Sequence, residues 1–138
     1  MRLLKIIFFL VVTSSNVIAS ANYFNEGLAF YKNKEFDKAK FKFEQDIVFN
    51  PKNEKSYFYL SKIFNEQEKK ELEEKNLNTV ILLNPKNEEA TYNLAQLKLK
   101  ESDFKESKRL VNKLLIFCKN YCQKGQTLKI QIENSLKK

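Results

Sequence analysis

Apolar residues recur at helical spacing along nearly all of the chain after residue 21. Leu and Phe stand three or four positions apart, with Lys, Glu and Asn between them, and this spacing places the apolar side chains on one face of an α-helix. The chain has only two Gly and two Pro in 138 residues, so it has little material for tight hairpin turns. The pattern predicts an all-α fold.

A five-residue phrase divides this helical pattern. Residues 50–54 read Asn-Pro-Lys-Asn-Glu, and residues 84–88 repeat the phrase unchanged, 34 residues later. A large apolar residue, Phe49 or Leu83, precedes each copy. Because internal periods of roughly 20 to 50 residues are typical of stacked supersecondary units, the sequence predicts a helical repeat protein.

Each copy of the phrase is expected to end one helix and begin the next. Pro disfavours the α conformation of the residue before it, so a helix should stop near Asn50. Asn53 can cap the following helix, and Glu54 then lies where the helix dipole favours a negative charge. The same roles are expected of Asn84, Asn87 and Glu88.

Between these markers the chain resembles the tetratricopeptide repeat (TPR) family. The matching residues are Tyr23, Gly27, Phe30, Phe36, Ala39, Phe43 and Pro51 in the first repeat; Tyr57, Leu60, Ser61, Phe64, Leu77, Val80 and Pro85 in the second; and Leu94, Ala95, Phe104, Ser107 and Val111 in the third. The departures are Glu26, Asp46, Lys70, Glu73, Thr91 and Lys98, and the third repeat lacks a closing Pro.

The resemblance implies antiparallel helical hairpins stacked in a right-handed superhelix, an α-solenoid. Repeats are predicted over residues 22–53, 54–87 and 88–119, followed by a C-terminal capping helix over 120–138. Paired helices approach closely only where side chains are small, and Gly27 with Ala39, or Ala95 with Ser107, provide one such residue on each helix.

A stack of about three hairpins needs a polar-faced cap at its exposed end. Leu128, Ile132 and Leu136 fall at i, i+4 and i+8 and form one apolar stripe on an otherwise polar helix. This stripe predicts the cap; the alternative is an amphipathic helix on a membrane surface, which would need more bulky apolar residues.

The family resemblance also implies a binding surface. In TPR proteins the first helices of successive hairpins line a concave groove that takes an extended or helical peptide. The corresponding positions here are Phe24, Phe58 and Tyr92; Leu28, Lys62 and Gln96; and Tyr31, Asn65 and Leu99. Partly exposed aromatic side chains are typical anchors of peptide-binding surfaces. The alternative is that a neighbouring helix or the cap covers these rings.

Some TPR proteins hold the C-terminal carboxylate of a chaperone with a clamp of Lys and Asn. The corresponding positions here hold Phe24, Leu28, Tyr59, Glu89 and Asn93, of which only Asn93 is a comparable donor. The expected ligand is therefore an apolar or mixed peptide segment rather than an acidic tail held at its end.

The first 21 residues have the composition of a secretory signal peptide. Arg2 and Lys5 precede an apolar run over residues 6–12, and a small-x-small sequence ends at Ala21. The run is too short to cross a bilayer, which takes about 20 residues. We expect cleavage before Asn22 and a periplasmic or secreted protein; an uncleaved N-terminal anchor is the alternative.

Charge is distributed unevenly along the chain. Residues 22–97 hold 12 basic and 13 acidic side chains, whereas residues 98–138 hold 11 basic and 4 acidic ones. This basic third could attract an acidic partner, an anionic membrane or a cell-wall polymer; the alternative is a solvated Lys-rich surface. Nucleic acid is not an expected partner outside the cytoplasm.

The sequence offers little for catalysis or metal binding. It contains no His, the commonest general base and metal ligand, and no Gly-rich phosphate loop. We expect no enzymatic activity, cofactor or metal.

Cys118 and Cys122 are the only cysteines, and in an exported protein a disulfide is expected between them. Two Cys four residues apart on one regular helix fit a bridge poorly, so the helix should break between them. The alternative is a pair of free thiols.

These features lead to two hypotheses about function. The first is an exported adaptor that binds another envelope protein through the groove. The second is a structural or assembly factor that associates with an anionic surface through its basic C-terminal third. Self-association through an end of the stack is a further alternative, and the oligomeric state is left open.

Overall fold

The structure, a computed structural model, describes residues 20–137, with side chains from Asn22 onward. Residues 1–19 of the predicted signal peptide therefore lie outside the described residues. The described part contains seven α-helices and no strand, which confirms the all-α prediction. The helices are α1 (Ser20–Lys32), α2 (Phe36–Phe49), α3 (Glu54–Glu66), α4 (Lys70–Leu83), α5 (Glu88–Lys100), α6 (Phe104–Phe117) and α7 (Cys122–Ser135). Over residues 20–137 no helix is both long and apolar enough to cross a membrane.

The chain divides into two compact units, one ending at Ser56 and the other beginning at Tyr57. In the N-terminal unit α1 and α2 pack together as a hairpin. Gly27 makes this packing close, because a Cβ atom at its position would lie 2.8 Å from the ring of Phe43. Ala39 and Phe43 on α2 are fully buried. The predicted close approach at Gly27 is thus confirmed.

The C-terminal unit holds the larger core. Its buried members come from four helices: Leu77, Val80, Ala90, Leu94, Ala95, Leu97, Leu110, Val111, Leu128 and Ile132. The second predicted pair of small residues is in contact, because the hydroxyl of Ser107 on α6 donates to the carbonyl of Ala95 on α5 at 2.7 Å. On α7, Leu128 and Ile132 are buried. Leu136, the third residue of the predicted stripe, follows the end of α7 and is 55% exposed.

Both copies of the repeated phrase end and begin helices as predicted. Asn50 and Asn84 are the C-caps of α2 and α4. At the start of α5 the side-chain oxygen of Asn87 accepts from the N–H of Ala90 at 2.9 Å. At the start of α3 the side-chain oxygen of Asn53 accepts from the N–H of Lys55 at 3.2 Å. Each Asn thereby satisfies one of the free N–H groups of a helix N-terminus.

The first junction has a buried carboxylate that the second lacks. Asp46 is 1% exposed and accepts hydrogen bonds from the side chains of Asn50, Asn53 and Ser56. Such bonds offset the desolvation of a buried carboxylate. The residue 34 positions later is Val80, so the second junction has a buried apolar side chain at the position where the first has this carboxylate.

The loop inside each hairpin has the same backbone conformation, which the sequence pattern did not predict. Lys34, Glu68 and Ser102, each 34 residues from the next, have left-handed φ angles of 61°, 55° and 62°. In each loop this residue donates to the carbonyl three positions back, and the next residue donates five positions back. These bonds form a Schellman C-cap. Gly usually occupies the left-handed position of this motif. Because none of the three loops has Gly there, the motif could not be recognised from the sequence.

The third junction differs from the first two. Helix α6 ends at Phe117, α7 begins at Cys122, and a disulfide joins Cys118 to Cys122 with their Cα atoms 5.3 Å apart. Both the bridge and the predicted break in the helix are therefore confirmed. The bridge closes the loop that connects the last hairpin to α7.

Candidate functional site

Six of the predicted groove residues lie in the C-terminal unit, on α3 and α5. We call the surface that they define the α3–α5 surface: Phe58, Lys62 and Asn65 on α3, and Tyr92, Gln96 and Leu99 on α5. Asn65 is exposed and the other five are half-buried. Phe58, Tyr92 and Leu99 also pack against the core of the unit. Each ring thus has one part fixed in the core and another part accessible.

Lys62 links the two helices of this surface. Its Nζ atom lies 2.8 Å from Oε1 of Glu89 on α5 and 4.5 Å from the ring centroid of Phe58. The ammonium group therefore interacts with a carboxylate and with an aromatic face at once. An ion pair at a partly exposed site contributes only about 0–1 kcal/mol, so its main effect is to place a charged pair beside Phe58.

Tyr92 is partly covered from the side of the cap. The ring of Tyr121, just before α7, lies 5.4 Å from that of Tyr92, and Nζ of Lys124 lies 4.6 Å from the Tyr121 centroid. The hydroxyl oxygen of Tyr92 accepts from Nε2 of Gln96 at 2.9 Å. The sequence left open that the cap covers the aromatic rings of the groove. For Tyr92 this covering is partial, because its side chain is half-buried.

Tyr121 connects the cap to the ion pair. Desolvation, followed by the negative charge of Glu89 and a hydrogen bond to it, raises the pKa of Tyr121 above its ordinary value of 10.0. The phenol therefore stays protonated and can keep donating to Glu89. Lys62, Glu89 and Tyr121 thus form a continuous polar chain between the rings of Phe58 and Tyr92.

Asn65 is engaged with a buried acid. Its Nδ2 atom donates to Oε1 of Glu73 at 3.0 Å, and Glu73 is only 5% exposed. Desolvation raises the pKa of Glu73 above its ordinary value of 4.5, although the bond from Asn65 and the charge of Lys100 act in the opposite direction. The Asn65 side chain therefore stabilises the second hairpin through Glu73, which occupies a position where the TPR pattern has Ala.

The N-terminal unit carries the remaining three groove positions, all on α1. Phe24, Leu28 and Tyr31 are half-buried. The ring of Phe24 lies 5.7 Å from Phe43, and that of Tyr31 lies 5.7 Å from Phe36. These contacts with α2 hold the two aromatic residues in place and leave part of each accessible.

Glu88 binds the loop that contains the disulfide. Its carboxylate accepts backbone N–H bonds from Lys119, Asn120 and Tyr121 at 2.9, 2.8 and 2.8 Å. Desolvation would raise the pKa of Glu88, but the three N–H bonds outweigh it and hold this pKa below 4.5. Because Tyr121 belongs to this loop, Glu88 also positions the ring that contacts Tyr92.

A separate polar cleft of about 440 Å³ lies elsewhere on the C-terminal unit. It is lined by Glu74, Asn78, Leu94, Lys98, Asp103, Lys105 and Glu106. Lys98, which replaces a TPR aromatic, pairs with Glu74 at 2.6 Å and with Glu101 at 3.0 Å. Desolvation lowers the pKa of Lys98, but these two carboxylates outweigh it and raise the pKa above 10.5. The charges of Lys98 and Glu74 are thus used within the fold.

The tertiary partners of the α3–α5 surface could not be recognised from the repeat pattern. Glu89, Tyr121 and Lys124 do not repeat at the 34-residue period, because the residues 34 positions before Glu89 and Lys124 are Lys55 and Ala90.

Among residues 20–137 there is no cluster of three His, Cys, Asp or Glu residues that could hold a metal ion.

No protein-family model matches the sequence, and no curated protein matches it either. Solved structures do match the fold. The Yersinia enterocolitica type III secretion translocator chaperone SycD aligns with a TM-score of 0.82 and 9% identity, over 94% of each chain. SycD in complex with a peptide of the translocator YopD aligns with a TM-score of 0.76 and 10% identity, over 83% of this chain and 92% of the other.

The first TPR of Spaghetti (RPAP3), bound to the HSP90 peptide SRMEEVD, is also similar. It aligns with a TM-score of 0.76 and 15% identity, over 86% of this chain and 94% of the other. At such low identity the likeness is one of fold. The chain therefore has the TPR fold, as the repeated residues predicted.

Proposed function

We propose that this protein is an exported adaptor that binds a peptide segment of another protein through the α3–α5 surface. The proposal rests on the position and partial exposure of the Phe58 and Tyr92 rings. Both rings are half-buried on first helices of hairpins and are anchored against the core. Rigid, partly exposed aromatic rings lose little conformational entropy on binding, which suits them as anchors for a peptide.

The chemistry beside these rings indicates the kind of peptide. Lys62 and Glu89 place one charge of each sign beside Phe58, while Gln96 adds a neutral polar group beside Tyr92. A peptide with apolar side chains for the rings and a mixed polar pattern would complement this arrangement better than a purely acidic tail.

The similar structures support binding of a peptide without specifying which. SycD binds a peptide of YopD, and the first TPR of RPAP3 binds an HSP90 peptide. The clamp positions of the present chain include Glu89, whose carboxylate would repel an acidic C-terminus, and Tyr59, which is not a cation. This difference favours an internal apolar or mixed segment as the ligand.

A photo-reactive amino acid at position 58, used for crosslinking in cells, tests the proposal. We expect one protein to be captured, and Phe58→Ala to weaken binding of that purified protein at least tenfold while the fold is retained. Phe41, an aromatic residue on α2 that is 56% exposed, supplies the control: Phe41→Ala should leave binding unchanged. Equal losses in both variants, or capture that is the same from positions 41 and 58, would refute the proposal.

Export is the part of the proposal that rests on residues 1–21. The apolar run and the small residues before Asn22 support it, and a disulfide suits an oxidising compartment. N-terminal sequencing of the protein purified from its natural host should begin at Asn22. A chain that still begins at Met1 in the cytoplasmic fraction would contradict export.

A second candidate function is that of a structural or assembly factor held at an anionic envelope surface. The excess of basic residues after residue 97 supports it. Salt separates the two functions: binding through apolar anchors should survive moderate ionic strength, whereas attraction to an anionic surface should weaken steeply.

A further inference from the structure

The outward faces of α2, α4 and α6 can be compared position by position, since the three helices are related by the 34-residue repeat. Six positions that lie together on one side of each helix are exposed or half-buried in all three helices. They are Asp37, Lys40, Phe41, Glu44, Gln45 and Val48 on α2; Glu71, Glu74, Lys75, Asn78, Thr79 and Leu82 on α4; and Lys105, Lys108, Arg109, Asn112, Lys113 and Ile116 on α6.

The last of these positions is an exposed aliphatic residue in every case. Val48 is 76%, Leu82 79% and Ile116 86% exposed. The aliphatic residue itself is therefore a property of the repeat. The charge of the residues around it differs among the three helices, and α6 is the helix on which this charge is positive.

Only the face on α6 is basic. It carries Lys105, Lys108, Arg109 and Lys113 and no acidic residue, whereas the matching faces of α2 and α4 each carry two acidic residues and one Lys. Glu106, at the neighbouring position of α6, forms a bidentate pair with Arg109 at 2.6 and 2.7 Å. Three lysines thus supply most of the positive charge of the face.

The spacing puts these residues in one row. Residues three and four apart on a helix lie on the same side, and residues 105–116 span roughly 16 Å at the rise of an α-helix. The opposite side of α6 is fixed in the core by Leu110, Val111 and Leu114. The row is therefore rigid, with the cations along its length and Ile116 at its C-terminal end.

We infer that this face of α6 rests on the surface of an anionic lipid bilayer, with Ile116 inserted among the lipid chains. This inference rests on the second candidate function and is independent of the α3–α5 surface. The positive charge of the face complements the negative charge of an anionic bilayer. Lysines interact with many lipid headgroups as point charges, without the bidentate geometry that arginines give to a specific anion site. An exposed aliphatic residue at the end of such a row can enter hydrocarbon without needing a preformed pocket.

A tryptophan reporter tests the insertion directly, because the chain contains no Trp. Ile116→Trp should show a blue-shifted emission on vesicles of equal parts phosphatidylglycerol and phosphatidylcholine, and quenching by brominated acyl chains. Leu82→Trp is the matched control at the same repeat position and should show neither change. If both reporters respond alike, or Trp at position 116 does not respond, the inference is wrong.

Matched charge variants test the basic row by vesicle sedimentation. Removing three lysines from the face (Lys105→Gln, Lys108→Gln, Lys113→Gln) should weaken binding about a hundredfold, at about fivefold for each cation. The control removes three exposed lysines elsewhere (Lys52→Gln, Lys55→Gln, Lys86→Gln) and should lower affinity much less. The full chain is used throughout, so any lipid contact made by residues 1–21 is common to all variants.

The results of these experiments distinguish binding of lipid by the α6 face from binding through net charge alone and from binding of a soluble polyanion. Equal loss in the two triple variants would show that net charge alone drives binding, which overturns the assignment to α6 and leaves the second candidate function standing. If the α6 variant loses binding to a soluble polyanion such as polyglutamate while Trp at position 116 shows no response to vesicles, the partner is a soluble acidic molecule and the inference fails. Crosslinking from position 58 should be unaffected in every variant.

Discussion

Glu88 and Asn120 are joined by a hydrogen bond of 2.8 Å from the backbone N–H of Asn120 to the Glu88 carboxylate. Lys119 and Tyr121 donate to the same carboxylate. Glu88 belongs to the second copy of the repeated phrase, and the three donors belong to the loop that replaces the phrase at the third junction. One carboxylate therefore links the start of α5 to the segment that leads into the cap.

This relationship predicts a pH dependence. The pKa of Glu88 is lower in the folded protein than the ordinary 4.5, so its contribution to stability is present above pH 4.5 and is lost as the pH falls through the lower folded value. Glu88→Gln should therefore reduce stability at neutral pH, and the difference from wild type should disappear in strong acid.

Urea unfolding followed by circular dichroism over this pH range measures the effect. Glu71→Gln, the same change at an exposed residue of α4, is the control and should have little effect on stability at neutral pH. A Glu88→Gln deficit that persists unchanged in strong acid would show that the carboxylate charge is not responsible.

The buried acid Glu73 should behave in the opposite way. Its folded pKa is raised, so stability is favoured below pH 4.5 and is lost as the pH rises from there through the folded pKa. Glu73→Gln keeps an acceptor for Asn65 and removes the buried charge, so the variant should be more stable than wild type at neutral pH. The two proteins should converge below pH 4.5 in thermal unfolding. A less stable variant at neutral pH would contradict this account.

Gly27→Ala should destabilise the N-terminal unit by about 1–2 kcal/mol. The added Cβ would meet the ring of Phe43 at 2.8 Å, and the resulting strain exceeds the gain of about 1 kcal/mol in helix propensity. Gly125→Ala is the comparison, because its Cβ would meet the flexible end of Leu115 at 3.1 Å. We expect no loss there; equal losses in urea unfolding would argue against steric control at Gly27.

Glu68→Gly should raise stability by about 0.5–1 kcal/mol, because Glu68 has φ 55° and a left-handed conformation is strained for residues with a Cβ. Gln67→Gly changes the preceding residue, which does not have a positive φ, and should lower stability through the greater entropy of the unfolded chain. The difference between the two variants in thermal unfolding isolates the left-handed strain. A loss of stability in both variants would mean that contacts of the Glu68 side chain contribute more to stability than its backbone strain removes.

The helices and their ends could be predicted because their causes are local. Pro51 acts on Asn50, and Asn87 acts on an N–H group three residues later. The Schellman loops escaped prediction although they also are local. Their bonds join backbone groups, and Lys34, Glu68 and Ser102 share no side-chain chemistry that would mark a left-handed position.

The repeat register also predicted which residues belong to the first helices, and whether those residues bind a peptide stays a prediction. It did not show that Tyr121 would contact Tyr92, nor that Lys62 would pair with Glu89. Such pairs depend on where a helix or loop from a distant part of the chain comes to lie, and a repeat pattern describes only what successive units have in common.

The sequence by itself determined the period of 34, the helix boundaries at the two Asn-Pro junctions and the bridge between Cys118 and Cys122, because each depends on residues near one another in the chain. Only the tertiary structure decided that Glu88 would bind the disulfide loop, that Asn65 would bind Glu73 rather than stay free, and that the side of α6 with its cations and Ile116 would be left exposed. Packing brings distant groups within hydrogen-bond distance and selects which face of a helix is covered.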